Sequence, residues 1–147
     1  MSAVHRAALV AIALLTLAGC GKEVGRIPFT SEGTSRATLE LEAGEIAFWT
    51  SLDIQYQGSP ALEYRIDLCQ SGHLVATAVC DPLGPKSVKA MWSEIQNGDT
   101  HSQSGSGKMN CSAKLPSAGP TSIEASLVFT TPPTALALTK ADLVIRQ

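Results

Sequence analysis

From Thr38 onward apolar side chains recur at every second residue, the period of a strand with one buried face, and Gly or Pro punctuates the pattern. Leu39 and Leu41 alternate with Glu40 and Glu42, and Ala43-Gly44-Glu45 reads as a turn. Ile46, Phe48, Leu52, Ile54 and Tyr56 then share one parity, while Ala47, Trp49, Ser51, Asp53 and Gln55 share the other. After the turn-forming residues 57–60, Leu62, Tyr64, Ile66 and Leu68 face inward and Glu63, Arg65, Asp67 and Cys69 outward. A simple meander would pair Tyr56 with Leu62, which sets Asp53 opposite Arg65 as an exposed ion pair. Continued through Gln70-Ser71-Gly72, it would set Leu68 against Leu74 and Ile66 against Ala76.

Asp81 to Pro85 ends this strand, because two prolines cannot sit in a central ladder. Residues 88–96 read as a strand in which Met91, Trp92 and Ile95 settle on no single parity. The polar Gly/Ser-rich residues 101–107 read as a mobile loop. Met109, Cys111, Ala113 and Leu115 alternate again, as do Ile123, Ala125, Leu127 and Phe129. Leu136 and Leu138 change phase with Leu143 and Ile145 near Lys140, the mark of a bulge or tight turn. Eight or nine short strands predict an all-β, two-sheet antiparallel β-sandwich over residues 37–147, jelly-roll-like, with a β-barrel as the alternative. Residues 39–46 and 118–127 are similar to strand-turn-strand units of pre-peptidase C-terminal domains.

The N-terminus carries a second pattern. His5 and Arg6 precede twelve residues, Ala7 to Ala18, in which only Thr16 is polar, and Leu17-Ala18-Gly19-Cys20 closes the run. The run is too short to span a bilayer unaided. With the small residues before Cys20 it resembles a bacterial lipoprotein precursor. The resemblance implies a signal peptide over residues 1–19, a diacylglyceryl group on Cys20 and commonly a further acyl chain such as palmitate on its amine. Two or three chains, at about 0.8 kcal/mol per buried methylene, would anchor the protein permanently in a membrane of the cell envelope. Gly21, rather than Asp, follows the cysteine, which favours the outer membrane where there are two. Residues 20–36 read as a lipidated tether, with Ile27 to Phe29 pinned to the domain edge.

Removing residues 1–19 from the 147 leaves 128, enough for one domain with a core. That part holds 10 basic residues (11 less Arg6) against 13 acidic ones, without a basic cluster, so no nucleic-acid partner is expected. Of the four cysteines, Cys20 is assigned to the lipid. In an oxidising compartment the other three allow one disulfide. Cys80 and Cys111 share core-facing parities while Cys69 falls outside, so Cys80 is expected to bond Cys111.

Catalytic patterns fail. There is no Gly-x-Ser-x-Gly elbow, no Cys-x-x-Cys and no His-Glu-x-x-His, so neither a catalytic set, a metal site nor a cofactor is expected. Gly105-Ser106-Gly107-Lys108 lacks the first glycine and the final Ser or Thr of a phosphate loop. Trp49 is an indole on a polar parity. With Asp53, Gln55 and Arg65 it forms a candidate binding face for a glycan or an envelope protein, with cover by the tether or a loop as the structural alternative. His73, Trp92 and His101 carry weaker versions of the same idea. A membrane-anchored, non-enzymatic binding or interaction module is therefore expected. A hydrolase using His73, Asp67 and Ser71, or a purely structural envelope protein, stands as the alternative. Replacing Cys20 by Ser should abolish labelling by a fatty-acid analogue; retained label would refute the lipid assignment.

Overall fold

The computed structural model describes residues 21–147; the predicted signal peptide and Cys20 lie outside the described residues. Nine strands form two antiparallel sheets: β1 (Glu23–Ile27), β2 (Gly33–Leu41), β3 (Gly44–Gln57), β4 (Ala61–Gln70), β5 (His73–Cys80), β6 (Lys86–Asn97), β7 (Thr100–Leu115), β8 (Gly119–Thr131) and β9 (Ala135–Arg146). The five-stranded sheet runs β1-β9-β3-β7-β6 and the four-stranded sheet runs β2-β8-β4-β5. They pack face to face as a sandwich and do not close into a barrel. The inward parities are those of the sequence: Ile46, Phe48, Leu52 and Ile54 meet Leu62, Tyr64, Ile66, Leu68, Ile123 and Leu127 in one core.

Parity fixes which face is buried but not which strand lies alongside, and the predicted β3–β4 meander is wrong for that reason. β3 is central, between β7 and β9, with Tyr56 opposite His101 and Leu136. The connection through Gly58 carries the chain across to the other sheet, where β4 lies between β8 and β5. Apolar faces coincide by stacking across the core rather than by lying side by side. Asp53 and Arg65 consequently sit on different sheets and form no pair. Within the β4–β5 hairpin, Ser71 and Gly72 take positive φ of 51° and 78° in a two-residue turn between Gln70 and His73. An irregularity between Leu68 and Cys69 then sets Leu68 opposite Ala76 and Ile66 opposite Ala78, two residues from the expected register. Facing survives that shift, and Cys80 still points inward, opposite Tyr64.

Two further expectations are corrected. Residues 101–107 are not a loop but part of β7, hydrogen-bonded on both sides. Their glycines are needed for close approach. A Cβ on Gly105 would lie 2.5 Å from the Met91 carbonyl oxygen, and one on Gly107 would lie 2.5 Å from Lys86 Cδ. The proposed tether is also mostly domain. Glu23–Ile27 pairs with β9, Ile27 and Phe29 are buried, and β2 starts at Gly33. The phase change near Lys140 is a bulge: Asp53 faces Lys140 and Ile54 faces Leu138.

Two bonds cross between the sheets. Cys80 of β5 is joined to Cys111 of β7, as face parity predicted, and Cys69 is free. In the core the hydroxyls of Thr50 and Tyr64 lie 2.9 Å apart, both residues fully buried. Replacing Cys111 by Ala should cost about 2–5 kcal/mol in denaturant unfolding, and Cys69→Ser should cost little. Alkylation mapping should modify Cys69 alone.

Burial pushes the Tyr64 phenol well above its ordinary value, against a smaller opposing effect of the Thr50 hydrogen bond. The stability tied to this group is complete below about pH 10, where the unfolded tyrosine ionises, and is lost as pH rises toward the folded value. Tyr64→Phe should cost about 1–3 kcal/mol near neutrality by leaving the Thr50 hydroxyl unpaired. It should also make the alkaline fall in stability shallower, as read from denaturant midpoints across that range.

Candidate functional site

The predicted face around Trp49 is not one surface. Trp49 does lie on the outer side of the five-stranded sheet, in a cross-strand row of Arg26, Val144, Trp49, Lys108 and Val88. Yet only 4% of it is exposed, because the Arg146 guanidinium lies over the ring, 4.1 Å from its centre. Neither the tether nor a loop supplies this cover; the next strand does. Beside it Asp142 is buried under the Arg26 guanidinium, whose Nη1 donates to Oδ2 at 2.8 Å, with Lys140 Nζ at 3.7 Å. Asp53 and Gln55 are exposed along β3. Arg65 is on the outer side of the other sheet, where its Nε donates to Glu63 at 2.6 Å. The ring is already stacked on a cation and offers no platform.

The hydrolase set fares no better. Asp67, Ser71 and His73 are all exposed, Asp67 on the outer side of β4 and the other two at the β4–β5 turn. Among the described residues no three His, Cys, Asp or Glu side chains converge as metal donors.

A different surface emerges from the mismatch between the sheets. β2 packs beside β1 at one border and β5 beside β7 at the other, so β6 has no strand opposite it. β5 also ends at Cys80, level with Tyr64, whose hydroxyl meets Thr50 midway along β3. The inner side of β6 and the far ends of β7, β3 and β9 are thus left uncovered. There Leu136, Tyr56, His101 and Gln96 form one row, and in the next Leu138, Gln103 and Glu94 flank Ile54, which is buried at the shelf's inner margin.

Within this shelf the Tyr56 and His101 rings stack at 5.3 Å with an interplanar angle of 12°. Gln103 Nε2 donates to the Tyr56 hydroxyl at 3.0 Å, while its Oε1, buried, accepts from no described residue. Toward the edge, the Trp92 indole N–H donates to Glu94 at 2.7 Å and holds that carboxylate below its usual range. Lys86 Nζ lies 4.2 Å from the Trp92 ring centre, and burial lowers its ammonium's pKa. Two adjoining depressions, about 250 and 380 Å³, share Gln96 and His101. Apolar, aromatic, amide and carboxylate groups therefore line one shallow surface suited to binding an amphipathic polar molecule.

Sequence reasoning singled out His101 and Trp92 only weakly and missed Tyr56, Gln96 and Gln103. Tyr56 was assigned to the core by its parity, correctly as to face. Its position at the strand end, beyond the reach of β4 and β5, is a tertiary fact. No protein-family model, curated protein or solved structure matches this chain significantly.

The two tryptophans should separate by quenching. In Trp92→Phe the remaining Trp49 emission should resist acrylamide, and in Trp49→Phe the emission of Trp92 should be quenched far more readily. Equal quenching in the two variants would refute the burial of Trp49 beneath Arg146.

Proposed function

We propose that this protein is a lipid-anchored, non-enzymatic component of the cell envelope, in the outer membrane where there are two, that binds a glycan on the uncovered shelf. The lipobox-like Leu17-Ala18-Gly19-Cys20 supports the anchor. The observation that carries the binding role is the shelf itself, where the stacked Tyr56–His101 pair lies beside the exposed Gln96 amide and Glu94 carboxylate. A sugar ring is apolar on its C–H faces and bristles with hydroxyl donors at its rim. Leu136 and Tyr56 offer contacts to the first, and the exposed Gln96 and Glu94 accept from the second.

Titration of mature protein against a panel of envelope oligosaccharides should find a ligand whose affinity drops about tenfold or more, some 1.4 kcal/mol, in Tyr56→Ala and His101→Ala. Asp53→Ala, on the opposite face, should leave affinity unchanged. A photo-reactive group at Gln96 that captures only protein, with no oligosaccharide binding, would replace the glycan reading by a protein partner.

A further inference from the structure

The β1–β9 ladder begins two residues after the proposed lipidation site, Cys20. Lys22 N donates to the Gln147 carbonyl at 2.7 Å and Gln147 N donates to the Lys22 carbonyl at 3.1 Å, which extends the β1–β9 ladder by one step. The Gln147 side chain in turn clamps the β2–β3 turn: its Nε2 donates to the Glu42 carbonyl and its Oε1 accepts from Glu42 N, both at 2.8 Å. Gly21 packs so close that a Cβ there would lie 2.7 Å from the Gln147 carbonyl carbon. Only Gly21 stands between Cys20 and this clamp in the sequence. Two Cα steps span at most about 7 Å, so an acylated Cys20 leaves no slack.

The clamp is at one corner of the molecule. Lys22 continues β1, an edge of the five-stranded sheet, at the end where the β2–β3 turn lies. The shelf is on β3, β7 and β6, toward the opposite edge and the opposite end. Arg146 pairs with Ala47 and Leu136 with Tyr56, so anchor corner and shelf stand about 30 Å apart along β3. Three strand spacings from β1 to β7 add about 14 Å sideways. We infer that the lipid seats the β2–β3 corner directly on the bilayer headgroups and holds the shelf off the membrane, facing the layer beyond it. Tilting in the plane of the sheet about so short a leash does not bring the shelf down, because it lies diagonally across the sheet from the pivot. The corner's charged side chains are of both signs, Lys22, Glu42 and Glu45, so seating depends on the leash rather than on anionic lipid.

This inference rests on the proposed acylation of Cys20 but not on the shelf's ligand. Its test uses full-length protein carrying Cys69→Ser, purified from membranes and reconstituted into vesicles of phosphatidylethanolamine and phosphatidylglycerol with acceptor dye on the headgroups. Donor dye is placed at Ala43→Cys, in the β2–β3 turn, or at Asp99→Cys, in the β6–β7 turn. Energy transfer should be several-fold greater from position 43 than from position 99. A flexible insert of about 20 Gly/Ser residues between Gly21 and Lys22, reaching about 25 Å, should shrink that difference. Equal or reversed transfer in protein that floats with the vesicles would overturn the seating while leaving the anchor intact. Protein without acyl mass on Cys20 that fails to float would overturn the anchor and the seating together.

Discussion

The bond between Cys80 and Cys111 ties the two sheets together at the border where the smaller sheet stops. Cys80 is the last residue of an edge strand, and Cys111 lies on the strand next to the border of the other sheet. Joining them holds β5 over β7 and leaves β6 without a partner across the core. Asp81-Pro82-Leu83-Gly84-Pro85 ends β5 there, level with Tyr64 and three residues short of the start of β4, and leads the chain from one sheet to the other. The overhang that forms the shelf thus begins where the disulfide ties the sandwich border. The buried Thr50–Tyr64 contact fixes the same alignment at the centre, where β4 lies over β3.

The outer side of the larger sheet shows how an alternating strand can bury a polar parity without a second layer. Arg146 flattens over Trp49, and Arg26 reaches Asp142 across one strand spacing. Their stems cover apolar area while the charges stay at the water boundary. The ion pairs themselves contribute little where Arg26 is 40% exposed. Their effect is geometric: they close the surface that the sequence marks as most open, and the shelf lies on the opposite face.

Face assignment was legible in the sequence, and adjacency was not. Period two placed Ile46, Phe48, Tyr64, Leu127 and Ile145 in the core and paired Cys80 with Cys111, since both deductions need only parity. The Asp53–Arg65 pair failed because it also needed β3 beside β4, and stacking across a core satisfies the same apolar pattern. The strand through residues 101–107 was hidden by composition. Gly and Ser are chosen there for lack of bulk, so that Met91 and Lys86 can approach, and they give no strand signal of their own. The shelf could not be read at all, because whether Tyr56 is core or surface depends on the length of strands in the other sheet.

An overhanging strand is a hazard as well as an opportunity, since β6 exposes one side of its backbone to any passing strand. Its ladder with β7 is irregular between Lys86 and Val88 and again between Ala90 and Ser93. At the second irregularity Met91 takes φ of 52° and projects almost wholly into solvent. A backbone kinked twice in twelve residues cannot offer the straight row of donors and acceptors that strand addition requires. What this border offers is therefore the side chains on the inner surface of β6 and its neighbours. The bulge that blunts the edge also turns Trp92 toward the shelf, where its N–H orients Glu94. Edge protection and the arrangement of the candidate site are two effects of one extra residue.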